Sequence, residues 1–353
     1  MPANIPAPRM LDPHSAPRLG WGVVGTGIAG KFVGALHAHT SQRAIAVVAR
    51  DRNKTAKFAS QYGIPCVYES VDALVLDPKI DVVYIATPHS SHREVALSAI
   101  AAGKHVLIEK PIALSASEAR EILAAARRAD VLATEAMWTR YLPQSDVIRQ
   151  VLDSGVLGEI SLVRSSFGFY MPEIPGHRLW DPALGGGAML DVGVYPVSFS
   201  SSIIGDPITI SAGGTVSSSG VDASAAIRLE AAGGAQALLS ASLQADVSPE
   251  AALYGSSGRL EVLAPFFGPS AIRMTLGQFG VAETAEWRDE VADLYDGMAH
   301  QATAFATYVG QNLRESPMHT HTEIITTMET VEEIRRQVLQ PAHSDPQGVG
   351  NNV

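Results

Sequence analysis

The chain has 353 residues, 46% of them hydrophobic, with a mean hydropathy of +0.11, a formal net charge of −10 and a single cysteine, Cys66. The length favours two domains over one core, and the charge argues against nucleic acid as the main partner, because phosphate neutralisation needs a dense positive face. One cysteine excludes a disulfide framework or a cysteine-cluster metal site, and neither a bilayer-spanning apolar run nor a signal-peptide h-region is visible, so a cytoplasmic location is expected.

Residues 1–18 are Pro-rich and read as a flexible arm. From Leu19 to Met137, short apolar runs (Trp21–Val24, Ile45–Ala49, Val82–Ala86, Val106–Ile108, Val131–Thr134) alternate with amphipathic stretches. Several runs are continuous, as expected for parallel strands buried on both faces. Asn53, Ser70 and Ser115 are candidate caps for the intervening helices, Ser115 pairing with Glu118 in a capping box. Strand, helix, strand repeated this way predicts a doubly wound, Rossmann-type dinucleotide-binding sheet over 19–137. Beyond it the spacing predicts a helix over 143–154, a strand over 160–169 and an apolar segment over 188–204. Strand-like runs then follow in series from Ile208 to Leu263. Strands in series without helices predict a mostly antiparallel open sheet, so 138–340 reads as an α+β domain for substrate binding and oligomerisation. Helices over 294–313 and 320–338 close it, and 341–353 reads as a disordered tail.

Gly25-Thr26-Gly27-Ile28-Ala29-Gly30 follows the first strand and opens a helix. In such a loop Gly25 permits a tight turn and Gly27 lets a pyrophosphate approach the backbone. Gly30 lets the helix pack closely on the strand, and the helix N-terminus offers free N–H groups to the anion. After the second strand, Asp51 stands where a carboxylate binds the ribose diol of NAD, whereas Arg50 and Lys54 can clasp the 2′-phosphate of NADP; two cations against one carboxylate favour NADP over NAD. A solvated turn is the alternative for these residues.

Glu109-Lys110-Pro111 ends another strand, at the carboxyl edge where open α/β sheets bind ligands. Lys110 needs a partner there, with Glu109 adjacent, and a cationic nicotinamide would lower its pKa into a range useful for proton transfer. If 188–204 is helical, Asp191 and Tyr195 share one face. A polar pair in an apolar segment needs a partner or a purpose; the alternative is a core tyrosine with a satisfied hydroxyl. Pro196 interrupts the helix ladder at the same place. Arg178, Trp180, Phe169, Trp138 and Arg140 are candidates for lining a pocket, the last two beside the cofactor. His89 and His92 are placed to touch a nicotinamide ribose. The pairs His37/His39 and His319/His321 lack a third ligand and read as surface residues, not metal ligands.

These motifs, with Thr87-Pro88 and Gly185-Gly186-Gly187-Ala188-Met189-Leu190-Asp191-Val192-Gly193-Val194-Tyr195, occur in an order that resembles the Gfo/Idh/MocA oxidoreductases over residues 19–340. Arg50 with Lys54, and Met137-Trp138-Thr139-Arg140-Tyr141, are similar to the dimeric dihydrodiol dehydrogenase and NADP-dependent D-xylose dehydrogenase branch. The resemblance implies hydride transfer between NADP(H) and a CH–OH or carbonyl carbon of a sugar, cyclitol or vicinal diol, in a homodimer or higher homo-oligomer. It also implies Tyr195 as general acid/base, Lys110 lowering the tyrosine pKa and orienting the oxygen, and Asp191 binding substrate or holding Lys110. Two alternatives stand beside it: a non-catalytic NADPH sensor, and an enzyme resembling glucose–fructose oxidoreductase with tightly held NADP, the arm before Leu19 folded over the nucleotide.

Overall fold

The computed structural model of the chain describes residues 4–277, 282–290 and 293–340; the expected tail over 341–353 lies outside them. The first domain runs β1 (Gly20–Val24), α1 (Ala29–His39), β2 (Arg43–Val48), α2 (Arg52–Tyr62), β3 (Cys66–Val67), α3 (Val71–Val75), β4 (Val82–Ile85), α4 (His92–Ala101), β5 (His105–Glu109), α5 (Ala116–Ala129) and β6 (Ala133–Ala136). Its six strands are all parallel, in the order β3-β2-β1-β4-β5-β6. β4 and β6 are buried along their whole length because helices cover both faces. The strand order reverses between β1 and β4, and the carboxyl ends there open the crevice in which such sheets take ligands.

Helix starts follow side-chain chemistry. Asp51, not Asn53, caps α2, its carboxylate accepting from Lys54 N at 3.0 Å. Ser70 caps α3 and Ser115 caps α5, but Glu118 reaches back to Leu114 N rather than completing a box.

The second domain contributes α6 (Pro143–Asp153), β7 (Ile160–Gly168), α7 (Val194–Ile204), β8 (Pro207–Val216), β9 (Asp222–Ala231), β10 (Gln236–Ser242), β11 (Ala251–Gly255), β12 (Gly258–Val262), β13 (Ala271–Leu276), β14 (Glu283–Arg288), α8 (Met298–Gly310) and α9 (His321–Leu339). The eight strands lie in the order β14-β13-β12-β11-β7-β10-β9-β8, antiparallel except where β7 runs parallel to β10. β14 escapes a hydrophobic pattern because it is the polar edge strand, paired with the mostly buried β13 and joined to it by Arg273 and Glu286 at 2.7 Å. One face of the sheet packs on α7 and α9, while Ile208, Val216 and Leu238 are exposed.

Residues 4–18 are pinned where the sequence suggests a flexible arm. The Arg9 backbone N–H and guanidinium both donate to Asp146, Gln42 Nε2 donates to the Pro17 carbonyl at 2.8 Å, and Ala16 is buried. The His319/His321 pair also departs from a surface reading, whereas His39 is exposed as expected. His319 and His321 are fully buried, His321 facing the Ala133 carbonyl at 2.9 Å, and His37 Nε2 accepts from Ala44 N. Among the described residues, no three His, Cys, Asp or Glu side chains gather as metal ligands, and no helix is long and apolar enough to cross a membrane.

Candidate active site

A cleft of about 540 Å³ opens at the strand-order reversal and continues between the domains. Gly25, Thr26, Gly27 and Ile28 line its floor. Gly25 has φ +106°, and a Cβ there would sit 2.3 Å from the Ala86 carbonyl oxygen, so only glycine permits the turn. A Cβ on Gly27 would meet nothing within 4 Å, which leaves the backbone open to a close ligand. Gly30 faces Tyr62 and Phe58 of α2, so the packing it permits is helix on helix rather than helix on strand. Ala29 and Gly30 lie within α1, behind the lining.

Arg50, Asp51 and Lys54 line one end of the cleft. Lys54 Nζ, largely exposed, leans to the Asp51 carboxylate at 3.9 Å instead of toward Arg50. Thr87, Pro88 and His89 line the cleft beyond the end of β4. The Thr87 hydroxyl is buried without a hydrogen-bond partner. His89 Nδ1 faces the Gly185 carbonyl at 3.2 Å, and burial, then the neighbouring His92, push its pKa down to about 3. His92 stands outside the lining, bridging the Pro111 and Thr87 carbonyls at 2.9 and 3.0 Å.

The chemistry-bearing groups meet at the centre. Residues Met189–Gly193 form a π-helical turn that runs into α7. Pro196 has no N–H to offer the carbonyls one turn behind it. The Asp191 carbonyl accepts instead from Lys110 Nζ at 2.7 Å. Asp191 therefore does hold Lys110, but by its backbone; its carboxylate accepts from Arg178 at 2.9 Å. Lys110 Nζ lies over the Tyr195 ring, and Trp138 Nε1 donates to the Tyr195 hydroxyl at 3.4 Å. Glu109, buried, accepts from the Tyr84 hydroxyl at 2.5 Å.

Burial disfavours the Lys110 ammonium, yet Tyr195, Asp191 and Glu109 outweigh it and hold its pKa above the usual lysine value. The protein groups thus act opposite to the lowering ascribed to a cationic ring. Burial raises the Tyr195 pKa, and Lys110 pulls it back down only in part. For Asp191 burial is overcome by Lys110 and Arg178, and its pKa falls below the usual carboxylate value.

Aromatic rings wall the rest. Phe167 stacks on Phe267 at 4.4 Å, and Tyr195 lies 5.3 Å from Phe267; Phe169, Trp138 and Tyr295 complete the wall. Phe167, Phe267 and Tyr295 were not among the expected residues. Phe167 was within reach, since residues two apart on a strand share a face with Phe169; the other two come from distant connections and leave no local signal. Two further expected residues lie elsewhere. Arg140 is buried against Glu323 at 2.7 Å and faces His319, outside the cleft lining, and Trp180 turns inward to donate to the Pro172 carbonyl.

Residues 19–137 match the family model for an oxidoreductase family with an NAD-binding Rossmann fold, and 146–261 match the GFO/IDH/MocA C-terminal domain. The chain belongs to the Gfo/Idh/MocA oxidoreductase family. Within it, the chain is 34% identical over 305 residues to trans-1,2-dihydrobenzene-1,2-diol dehydrogenase of Xenopus laevis, covering 84% of this chain and 91% of that one. The human enzyme of the same name is 32% identical over 327 residues, covering 91% and 97%. Among solved structures, a 3-ketoreductase of Actinomadura kijaniata in complex with NADP and TDP-benzene superposes with a TM-score of 0.79 at 26% identity, covering 91% and 98%. Levoglucosan dehydrogenase shares the fold, with a TM-score of 0.83 at 17% identity over 91% and 97% of the two chains.

Proposed function

We propose that this Gfo/Idh/MocA member catalyses reversible hydride transfer between NADP(H) and a CH–OH or carbonyl carbon, with a vicinal diol, sugar or cyclitol as substrate. The observation that carries this reading is the convergence of Lys110 and Tyr195 in the same cleft as the Gly25–Gly30 loop. The residues fit a dinucleotide: Gly27 leaves its backbone open, the Thr87 hydroxyl is a buried orphan, and Arg50 and Lys54 stand at the cleft end suited to a 2′-phosphate. Asp51 is occupied as a helix cap, which weakens the case for NAD.

The nicotinamide, when bound, supplies the hydride chemistry. Tyr195 gives a proton to the substrate oxygen in reduction and takes it back in oxidation. Lys110, fixed by the Asp191 carbonyl, orients that oxygen and favours the tyrosinate. Arg178, half-exposed on the Asp191 carboxylate, keeps guanidinium donors for a second oxygen of the substrate. The aromatic wall suits a flat or apolar ring face, which, with the diol dehydrogenase activity the relatives are named for, favours a cyclic vicinal diol.

The experiment is NADP reduction with a panel of arene trans-diols, aldoses and cyclitols, run beside NADPH fluorescence titration. Turnover on at least one class is expected; binding with no turnover on any would favour the non-catalytic sensor. The docking of residues 7–9 on α6 and of residues 13–17 beside Ser41 and Gln42, outside the cleft lining, weighs against the arm as a clasp in the tightly-held-NADP alternative. The long sheet of the second domain, open on the face turned away from α7 and α9, supports a homodimer, and the single exposed cysteine accords with a reducing, cytoplasmic setting.

A further inference from the structure

Glu135 lies on β6 beside the end of β5 and is 1% exposed. One carboxylate oxygen accepts from Ile112 N at 2.9 Å; the other faces His319 Nε2 at 2.9 Å. On the far side of the ring, His319 Nδ1 faces Arg140 NH2 at 3.4 Å, and Arg140 is paired with Glu323. A carboxylate only accepts and a guanidinium only donates, so the ring fits as a neutral imidazole with its proton on Nε2. Every donor then points toward Glu135. Arg140 donates to His319, His319 donates to Glu135, and Ile112 donates to Glu135.

The two ends of this chain are two residues from groups that meet at the Tyr195 side chain, Lys110 over its ring and Trp138 at its hydroxyl. Ile112 follows Lys110 by two residues, and the intervening Pro111 carbonyl is pinned by His92. Arg140 follows Trp138 by two residues, on the same short 3-10 turn, and Trp138 donates to the Tyr195 hydroxyl. Burial of an acid and a histidine is costly unless geometry repays it. A general structural pair would not need to end on these two segments. We propose that Glu135 and His319 are positioning residues, holding the Lys110 and Trp138 segments in register around the Tyr195 side chain. This rests on the catalytic reading of Lys110 and Tyr195 given above.

Directionality makes the test sharp. In E135Q an amide nitrogen must face either the Ile112 N–H or the His319 Nε2–H, donor against donor. In H319Q the amide can still donate to Glu135 and accept from Arg140, whereas H319L does neither. The full-length variants and K110M are compared by kcat, diol KM, NADPH titration, the pH profile of alcohol oxidation and thermal midpoint. E135Q and H319L are expected to lower kcat by about ten- to a hundredfold, as misplacement of reacting groups does. NADPH affinity should stay within about twofold, since neither residue lines the cleft. The midpoint at which oxidation switches on should move to higher pH as Tyr195 loses its ammonium, and H319Q should resemble the parent. A parent-like kcat and pH midpoint in E135Q and H319L, with K110M inactive, overturns the inference alone. A loss in H319Q as deep as in H319L overturns it too, by pointing to a titrating ring. Full turnover in K110M sinks the catalytic reading and this inference with it.

Discussion

Lys110 Nζ lies 4.7 Å from the centroid of the Tyr195 ring, close enough that the ammonium field acts directly on the phenol. Removing the hydroxyl in Tyr195→Phe should lower kcat by about 10²- to 10⁴-fold, the usual worth of a positioned acid/base. Lys110→Met should fall in the same direction, with NADPH binding largely intact in both by fluorescence titration. Unchanged turnover in both variants would remove the catalytic assignment.

Arg50 and Lys54 should separate the two cofactors. Each Ala variant is expected to weaken NADPH by roughly tenfold, the worth of a charge-assisted hydrogen bond at a partly solvated site. NADH affinity should barely change. The Lys54 side chain is 77% exposed, so its effect should shrink as salt rises. Equal losses for the two cofactors would mean that the 2′-phosphate sits elsewhere.

Gly187 has φ +118°, and a Cβ there would come within 2.3 Å of the Asp222 carboxylate. That carboxylate accepts from Met189 N and from Arg335, so it cannot withdraw freely. Gly187→Ala should cost roughly 1–3 kcal/mol from backbone strain alone, with any clash adding to it. Because the same glycine leads into the π turn, activity should fall further than the folded fraction does. Urea titration and specific activity on one sample check both.

Asp191 should leave an acid signature. Its pKa is held below the ordinary carboxylate value, with burial opposed by Lys110 and Arg178. The stability it contributes is therefore present above about pH 4, the unfolded value, and is lost as pH falls through the depressed folded value. The gap in thermal midpoint between the parent and Asp191→Asn should be level at neutral pH and close on acidification. A gap that widens in acid contradicts the ion pair.

Much of this site was legible because its motifs are local. The Gly25–Gly30 turn, Glu109-Lys110 and the Gly185–Tyr195 segment each sit at one strand end or one helix start, where chain direction dictates where a side chain is delivered. Misreadings arose where packing chose between two sides of a short element. Arg140 stands two residues from Trp138 on a 3-10 turn, where three residues complete a revolution, so the two point apart. His319 looked like a surface residue because it flanks the polar cap of α9. Its burial depends on Glu135, brought to it from 184 residues away in sequence. Phe267 and Tyr295 come from connections that no periodicity marks.

The lysine is moored to main chain at position 191, not to a side chain. That contact is silent to substitution: Ala, Asn or Ser at 191 would each leave the same oxygen in place. A relative could therefore exchange the acid there, and with it the partner of Arg178, while its lysine stayed put. A change in the path of the chain, such as an N–H restored at Pro196, would set the lysine adrift.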